Sequence, residues 1–461
     1  SNAETFAFNN KLNELSRNYK KGTAQKVQDV LMEMIRRVET GQEQQVKPNV
    51  VSWTAAINAW ARSPDPEAAQ KAEVLFQQMC THITPNSYAF NAIITAWVRS
   101  RDRESTKKAE QKLTQMWTLF EQSNYTNSDL QPDAQAYNRV INAIARSREP
   151  DCARKATVLL GKMEELCTVG GYTDMEPCAK TFGAIINAHA NSGDIDASDK
   201  AAELLQRMES LYQLGYHKVK PNTFVYNACM NAFAKSVESS STGTRTKRSG
   251  STTTRTDGEV KAEQILNLME KMYKENGDES VKPDVISYST MINAIANSGC
   301  HGAGERAENI LQRMTHLYLA TGDEKVKPNA ITMTAVIKAW SSSWSLLSSG
   351  TAGSTTSVND ENNNDKINYE MSGVKLAAQK SQELLERMCM LYLAGDQSMK
   401  PTKVTFDLVF EAFKTLKDQE SMDWVNAVRQ NISTMDNKHS RKPNQHQPRR
   451  RQQQSSHKFS S

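Results

Sequence analysis

Histidine and cysteine are the side chains of this protein that could bind a metal ion or act as nucleophiles, but their spacing fits neither role. The seven cysteines are odd in number and contain no Cys-x-x-Cys pair. This pattern favours free thiols in a reducing compartment over a disulfide framework or a zinc site. The eight histidines show no metal-binding spacing either. A phosphate-binding loop, a nucleophile elbow and the acidic cluster of two-metal nucleases are also missing, so we expect neither catalysis nor a metal or other cofactor.

The positive charge of the chain is concentrated at its C-terminal end. Residues 438–461 contain seven Lys or Arg and no acidic residue, whereas the whole chain has 57 Lys and Arg, 52 Asp and Glu, and a net charge of +5. The remainder, with 50 basic and 52 acidic residues, is close to neutral. A nucleic-acid hypothesis must therefore rest on where charges lie and not on their total. No apolar run approaches the roughly 20 residues of a membrane span, so no membrane association is expected.

One stretch, from Lys47 to Trp60, recurs along the chain with small changes. A weaker copy lies around Phe6 to Leu15. Repetition at intervals of several tens of residues indicates a solenoid and not a single globular domain. The later copies begin at Pro85, Pro132, Pro177, Pro221, Pro283, Pro328 and Pro401.

Counting the residue two after each proline as position 1 divides the chain into eight units and a partial ninth. In each unit, apolar residues at positions 4, 8 and 11 share one helical face, as in Trp53, Ile57 and Trp60. A second helical pattern follows, with a basic residue eight positions before a Met, as in Lys200 to Met208. Proline then ends the unit, because it excludes helix at the preceding residue. The units are 5–49, 50–86, 87–133, 134–178, 179–222, 223–284, 285–329, 330–402 and the partial 403–417.

Stretches outside this pattern are rich in polar residues. The segments 237–259 and 341–373 lack the aliphatic content to pack, and we predict that they are disordered insertions between the two helices of a unit. Residues 421–436 could form a capping helix, and the basic tail at 438–461 is predicted to be disordered. The chain begins with Ser1 and not with Met, so we expect it to be part of a longer protein, and the lack of a visible targeting segment says nothing about location.

The amino-acid pattern of the repeats resembles that of the pentatricopeptide repeat family. The best copy is Pro-Asp-Val-Ile-Ser-Tyr-Ser-Thr-Met-Ile-Asn-Ala at 283–294, followed by Ala-x-x-Ile-Leu-x-x-Met at 307–314. The resemblance implies an all-α, right-handed superhelical α-solenoid of stacked antiparallel helix pairs. The units differ from the family's in length, at about 45 residues against about 35. We expect a second helix lengthened by about a turn and a half, which puts the correspondence of one unit to one base in question.

The resemblance also implies that single-stranded RNA lies along one face, with one base per unit read by position 5 and the last position. Asn, Thr and Ser both donate and accept hydrogen bonds, as base edges require. N-capping by the residue after Pro explains the last position equally well, whereas it does not explain position 5. The pairs are Asn9 with Asn49, Thr54 with Asn86, Asn91 with Asp133, Asn138 with Cys178, Gly183 with Asn222, Asn227 with Asp284, Ser289 with Asn329, and Thr334 with Thr402.

By the family's code these pairs predict the target 5′-C-A-U-pyrimidine-?-U-A-?-3′, in which Cys178, Gly183 and Thr402 depart from the code. Position 2 is implied to sandwich the bases, although apolar residues there also suit packing. Position 13 forms a basic row that either neutralises phosphates or favours the helix dipole. The sandwiching residues are Val51, Tyr88, Phe224, Ile286 and Ile331, and the cationic residues are Arg17, Arg62, Arg99, Arg146 and Lys235.

Together these features predict a sequence-selective protein that binds single-stranded RNA. The resemblance places it in a mitochondrion or plastid, acting on an organellar transcript in RNA processing, stability or translation, with possible protein partners through the array or the basic tail. Two alternatives stay open. One is a protein–protein interaction scaffold that uses the concave face of the solenoid, and the other is the binding arm of a processing enzyme whose catalytic domain lies outside this chain.

Overall fold

The computed structural model describes residues 3–16, 20, 22–40, 47–147, 149–242, 257–348 and 361–440. These residues form eighteen α-helices and six short 3₁₀ turns and contain no strand. The prediction of an all-α solenoid is confirmed. Arg17, residues 243–256 and 349–360 of the two predicted insertions, and the tail from residue 441 lie outside the described residues.

Each unit contributes a pair of helices, in the order expected from the repeats. The first helices are α1 (Ala3–Ser16), α3 (Val50–Arg62), α5 (Ser87–Arg99), α7 (Ala134–Arg146), α9 (Ala179–Ser192), α11 (Thr223–Thr242), α13 (Val285–Ser298), α15 (Ala330–Ser348) and α17 (Lys403–Leu416). The second helices are α2 (Thr23–Glu39), α4 (Ala68–His82), α6 (Ser105–Gln122), α8 (Cys152–Thr168), α10 (Ala197–Gln213), α12 (Asp257–Asn276), α14 (Ala303–Thr321), α16 (Glu361–Leu393) and α18 (Gln419–Ser440).

The chain divides into two compact parts. The N-terminal part consists of Ser1–Cys300 and Asn309–Pro328, and the C-terminal part of His301–Glu308 and Asn329–Ser461. In the N-terminal part each first helix, from α1 to α11, packs against its own second helix and against the next first helix. In the C-terminal part α15 packs against α16 and α17, and α17 packs against α18. Each part is therefore a stack of helix pairs, as a solenoid requires.

The predicted apolar face forms the core of these stacks. Trp53, Phe90, Phe182 and Tyr288 at position 4 are buried, as are the isoleucines at position 8. On the second helices, the Met that ends the repeated pattern is fully buried in all eight units: Met34, Met79, Met116, Met163, Met208, Met269, Met314 and Met388. One helix pair leaves these side chains exposed on one side, and stacking the next pair covers them.

The extra length of the long units has two sources, and the sequence indicated only one. The second helix α4 has 15 residues, whereas α8 has 17 and α12 has 20. The remaining residues form a 3₁₀ turn that buries one apolar side chain two residues before the proline. The prediction of helix lengthening alone was therefore wrong, because part of the insertion is this turn. The buried side chains are Leu130, Met175, Val219, Val281, Val326 and Met399.

Helices extend into both predicted insertions from either side. Helix α11 continues to Thr242, and α12 begins at Asp257 with Glu259 fully buried. Helix α15 continues to Ser348 and α16 begins at Glu361. Residues 237–242, 341–348 and 361–373, which were predicted to be disordered, are therefore helical. Residues 421–436 lie within α18.

Candidate nucleic-acid interface

The side chains at position 2 point out of the stacks. Tyr88 is 74% exposed, and Val51, Phe224, Ile286 and Ile331 are also exposed, although each lies on a helix whose positions 4 and 8 are buried. These apolar side chains therefore do not belong to the buried core. Gln135 and Lys180, the polar residues at this position, are exposed as well.

Three of the sequence-predicted pairs are joined by direct hydrogen bonds. The Nδ2 of Asn91 donates to Oδ2 of Asp133 at 3.0 Å, and the Nδ2 of Asn227 donates to Oδ1 of Asp284 at 3.0 Å. The Nδ2 of Asn9 donates to Oδ1 of Asn49 at 3.3 Å. Residues about 40 or more positions apart in sequence therefore meet at the junction between successive first helices.

The last position also caps the following helix, as the alternative explanation required. The side chain of Asp133 accepts a hydrogen bond from the backbone N–H of Ala136, and that of Asn86 from the N–H of Ala89. Asn49, Asn222, Asp284, Asn329 and Thr402 accept equivalent backbone bonds. Cys178 makes no such bond. One side chain thus both caps its own helix and, in three units, contacts position 5 of the unit before.

Buried hydroxyls at position 3 complete this junction and were missed in the sequence. The Oγ of Ser52 donates to Oδ1 of Asn9, and the Oγ of Ser287 to Oδ1 of Asn227, each at 2.7 Å. In unit 5, the Oγ1 of Thr181 donates to Oδ1 of Asn138 at 2.6 Å. The available signal was a Ser or Thr three residues after the capping residue, which is the spacing of a capping box.

In the pairs of Thr54 and Thr334, the position 5 hydroxyl does not bond to its predicted partner. The Oγ1 of Thr54 is buried and has no partner among the described residues. Thr334 shares a 2.8 Å bond with Thr405 rather than with Thr402. Ser289 is buried in the N-terminal part, whereas Asn329 lies in the C-terminal part.

Gly183 departs from the predicted pattern for a steric reason. A Cβ atom at this residue would lie 2.4 Å from the ring of Phe224, which is much closer than van der Waals contact. The Phe224 ring therefore covers the place where unit 5 would present a hydrogen-bonding side chain. Neither Asn nor Ser fits at this position unless that ring moves.

Two of the predicted cationic residues, Arg62 and Arg146, line grooves on this face. A groove of about 680 Å³ is lined by Val51, Thr54, Arg62, Tyr88 and Asn91. A second groove of about 1890 Å³ is lined by Asn138, Arg146, Lys180 and Phe224, among others. The side chains of Arg62, Arg99 and Arg146 are exposed, and the Nζ of Lys235 donates to Asn191. Apolar, hydrogen-bonding and cationic side chains therefore share one surface of the N-terminal part.

Most of the basic residues that lie eight positions before each Met, on the second helices, contact other residues of the fold. Lys71 makes a 2.8 Å ion pair with Asp65, and Lys200 a 2.8 Å ion pair with Asp196. The ammonium of Lys108 lies 4.3 Å from the centre of the Trp97 ring. These positive charges therefore interact with acidic side chains and with the buried rings at position 11 within the stack.

His189 is the titratable group buried beside the second groove. It is 2% exposed, its Nε2 lies 3.0 Å from Oγ1 of Thr157, and its Nδ1 has no partner among the described residues. Burial, reinforced by the charge of Lys200, lowers the pKa of His189, while nearby acids including Asp194 and Asp196 oppose this shift. The ring is therefore held neutral.

Other chemistry is sparse in the described part of the chain. None of the seven cysteines forms a disulfide. Across residues 3–440, apart from the gaps given above, no three His, Cys, Asp or Glu side chains come together as a metal site would require. Over the same residues, no helix has the length and apolar character needed to cross a membrane.

A comparison with known families matches residues 23–100 to the pentatricopeptide repeat domain. Residues 23–100 therefore belong to this repeat family. The matched residues include helices α2 to α5, and thus unit 50–86, the one complete unit of near-typical length. The units that follow the matched residues are longer. A family of this kind supports RNA binding as a general activity.

Among solved structures, the chain matches the crystal structure of the pentatricopeptide repeat protein PPR10 from maize. The identity is 18%, the TM-score is 0.26, and the match covers 92% of this chain. The chain spans 64% of the length of that protein. No curated protein matches the chain.

Proposed function

We propose that this pentatricopeptide repeat protein binds single-stranded RNA sequence-selectively and acts on an organellar transcript, in its processing, stability or translation. The observation that carries the proposal is the junction between first helices, where a position 5 side chain meets the capping residue of the next unit beside exposed apolar side chains at position 2. Hydrogen-bonding groups at the bottom of an apolar slot suit the edge and the two faces of a base.

The proposed mechanism is occupancy and not catalysis. A bound array excludes nucleases from the covered nucleotides or keeps a strand unpaired, and neither effect requires a bond to be made or broken by this protein. Sequence selectivity comes from the pairs, and affinity comes from stacking at position 2 and from phosphate contacts at position 13. The match of residues 23–100 to the family supports this proposal.

Thr54 provides the test. We expect RNA selected from a random pool to be enriched in A at the second letter, because Thr54 is paired with Asn86. A Thr54→Asn variant creates an Asn and Asn pair, and we expect the preference to change to C at that letter alone. The matched control is Thr118→Asn, an exposed residue on the second helix α6. Equal enrichment for wild type and Thr54→Asn would contradict base reading by this pair.

Salt dependence separates RNA binding from the scaffold alternative. RNA held through Arg62, Arg99 and Arg146 is released as salt rises, because binding displaces counterions from the strand. A protein partner held on the exposed apolar side chains would instead persist at high salt, since burial of apolar surface is not screened.

A further inference from the structure

A row of amide side chains lies on the grooved face, one helical turn after position 5. Position 9 is Asn in six of the eight units and Thr in one more. Asn58 lines the first groove, and Asn142 and Asn187 line the second. The members of this row, called here the position 9 row, are Asn13, Asn58, Thr95, Asn142, Asn187, Asn231 and Asn293.

Most of these amides have no role within the fold. The side chains of Asn58, Asn187, Asn231 and Asn293 are half-buried, and none bonds to another described residue. Asn142 uses only its Nδ2, which donates to the carbonyl oxygen of Asn138 at 2.5 Å. Asn is a poor helix former, and these residues lie in helix interiors. A residue that costs helix stability and gains no internal contact, yet recurs at one position, points to a partner outside the chain.

The place of the row identifies which part of a nucleotide it faces. Positions 5, 9 and 13 follow one another on the same side of a helix, with a rise of about 6 Å at each step of four residues. Position 5 contacts a base and position 13 a phosphate in the proposed function. The sugar lies between these two groups in every nucleotide, so position 9 faces the ribose.

We propose that the position 9 row binds the ribose 2′-hydroxyl groups and thereby selects RNA over DNA, an inference that rests on the proposed function. An amide both donates and accepts hydrogen bonds, and the 2′-hydroxyl does the same. The hydrogen-bonding capacity of the amide therefore matches the 2′-hydroxyl, the one group that distinguishes ribose from deoxyribose. A cation at position 9 would favour RNA and DNA equally, and such a residue occurs only as Lys338 in unit 8.

The test compares RNA with DNA of the same base order, using a fluorescein-labelled oligonucleotide taken from the enriched random pool. The variant is Asn58→Ala/Asn187→Ala/Asn231→Ala, and the control is Asn309→Ala, an exposed residue of the second helix α14. Alanine is a better helix former than asparagine, so the variant should fold, and thermal unfolding checks this. We expect RNA affinity to fall about fivefold for each amide removed and DNA affinity to stay constant.

Two results would overturn the proposal, and they differ from each other. If the triple variant loses affinity for RNA and DNA in the same proportion, the amides do not contact the 2′-hydroxyl, although the protein binds RNA. If the wild-type protein binds neither the random RNA pool nor any member of it, both this inference and the proposed function fail. Single deoxy substitutions within the bound RNA provide a second readout: those at the nucleotides facing Asn58, Asn187 and Asn231 should weaken binding by wild type and leave binding by the triple variant unaffected.

Discussion

The guanidinium of Arg139 donates a 2.8 Å hydrogen bond to the side-chain oxygen of Asn91, in the first helix of the preceding unit. The same guanidinium donates to Oε1 of Gln135 at 3.1 Å. Since Nδ2 of Asn91 donates to Asp133, both ends of this amide are already bonded. Five other units have Ala at the position of Arg139, so they have no guanidinium equivalent to the one beside the Asn91 and Asp133 pair: Ala55, Ala92, Ala184, Ala228 and Ala335.

This contact changes the expected third letter of the RNA target. Arg139 offers N–H donors that suit the O6 and N7 acceptors of guanine, while the carboxylate of Asp133 suits its N–H groups. We expect wild type to prefer G over U at this letter and Arg139→Ala to prefer U, with a change of about 1–2 kcal/mol, or roughly 5- to 30-fold. Selection from random pools measures the preference, with Arg103→Ala, an exposed residue outside the groove, as the control. An identical third letter in both proteins would refute this role.

Tyr88 should contribute to affinity without contributing to stability. The side chain is 74% exposed, so replacing it by Ala removes little internal packing. Stacking of a base on an aromatic ring is worth about 1–3 kcal/mol, and we expect Tyr88→Ala to weaken RNA binding by that amount. Fluorescence anisotropy measures the affinity and urea unfolding the stability. Val158→Ala, which is 55% exposed on the second helix α8, should change neither. Equal losses of stability and affinity for Tyr88→Ala would show that the ring supports the fold instead.

Arg99 should control the salt dependence of RNA binding. It is exposed at position 13 of α5 and forms no ion pair with a described residue. Each phosphate contact contributes about 0.7 to the slope of log affinity against log salt for a single strand. We expect Arg99→Ala to lower the slope by about that amount, with the order of base preferences unchanged. An unaltered slope would mean that Arg99 contacts no phosphate.

His189 should make folding sensitive to mild acid. Its pKa in the folded protein lies below the ordinary value of 6.5, so the unfolded chain takes up the proton first as the pH falls. Its contribution to stability is therefore complete above pH 6.5 and is lost as the pH falls from there towards the lowered pKa. Urea unfolding at a series of pH values between about 7.5 and 5 tests this. A His189→Gln variant should lose less stability over that range, and a parallel decline in both proteins would assign the effect to other groups.

Much of the fold follows from the spacing of residues within one helix. The burial of Phe90, Phe182 and the eight methionines was predicted because apolar residues at intervals of three and four define a face without reference to any other part of the chain. The 3₁₀ turns were not predicted, because a single Val, Leu or Met two residues before Pro has no periodicity.

Contacts between units were harder to predict. Ser52 bonds to Asn9, 43 residues away in sequence, and Arg139 bonds to Asn91, 48 residues away. No local sequence feature identifies the partner in either case. The expectation that position 5 and the last position lie together came from resemblance to a family, and three pairs of side chains do meet. Gly183 is explained only by the ring of Phe224, which another helix supplies.

Under the proposed function, Asp133 has a double role that restricts how this protein can be retargeted to new transcripts. Any residue placed there must satisfy the exposed backbone donors at the start of α7 as well as face a nucleotide, and replacing a good cap by Ala costs about 0.5–2 kcal/mol. Asn, Asp, Ser and Thr meet both demands. In an engineered array, the last position of each unit would therefore be limited to these four residues. Larger changes of base specificity would have to be made at position 5.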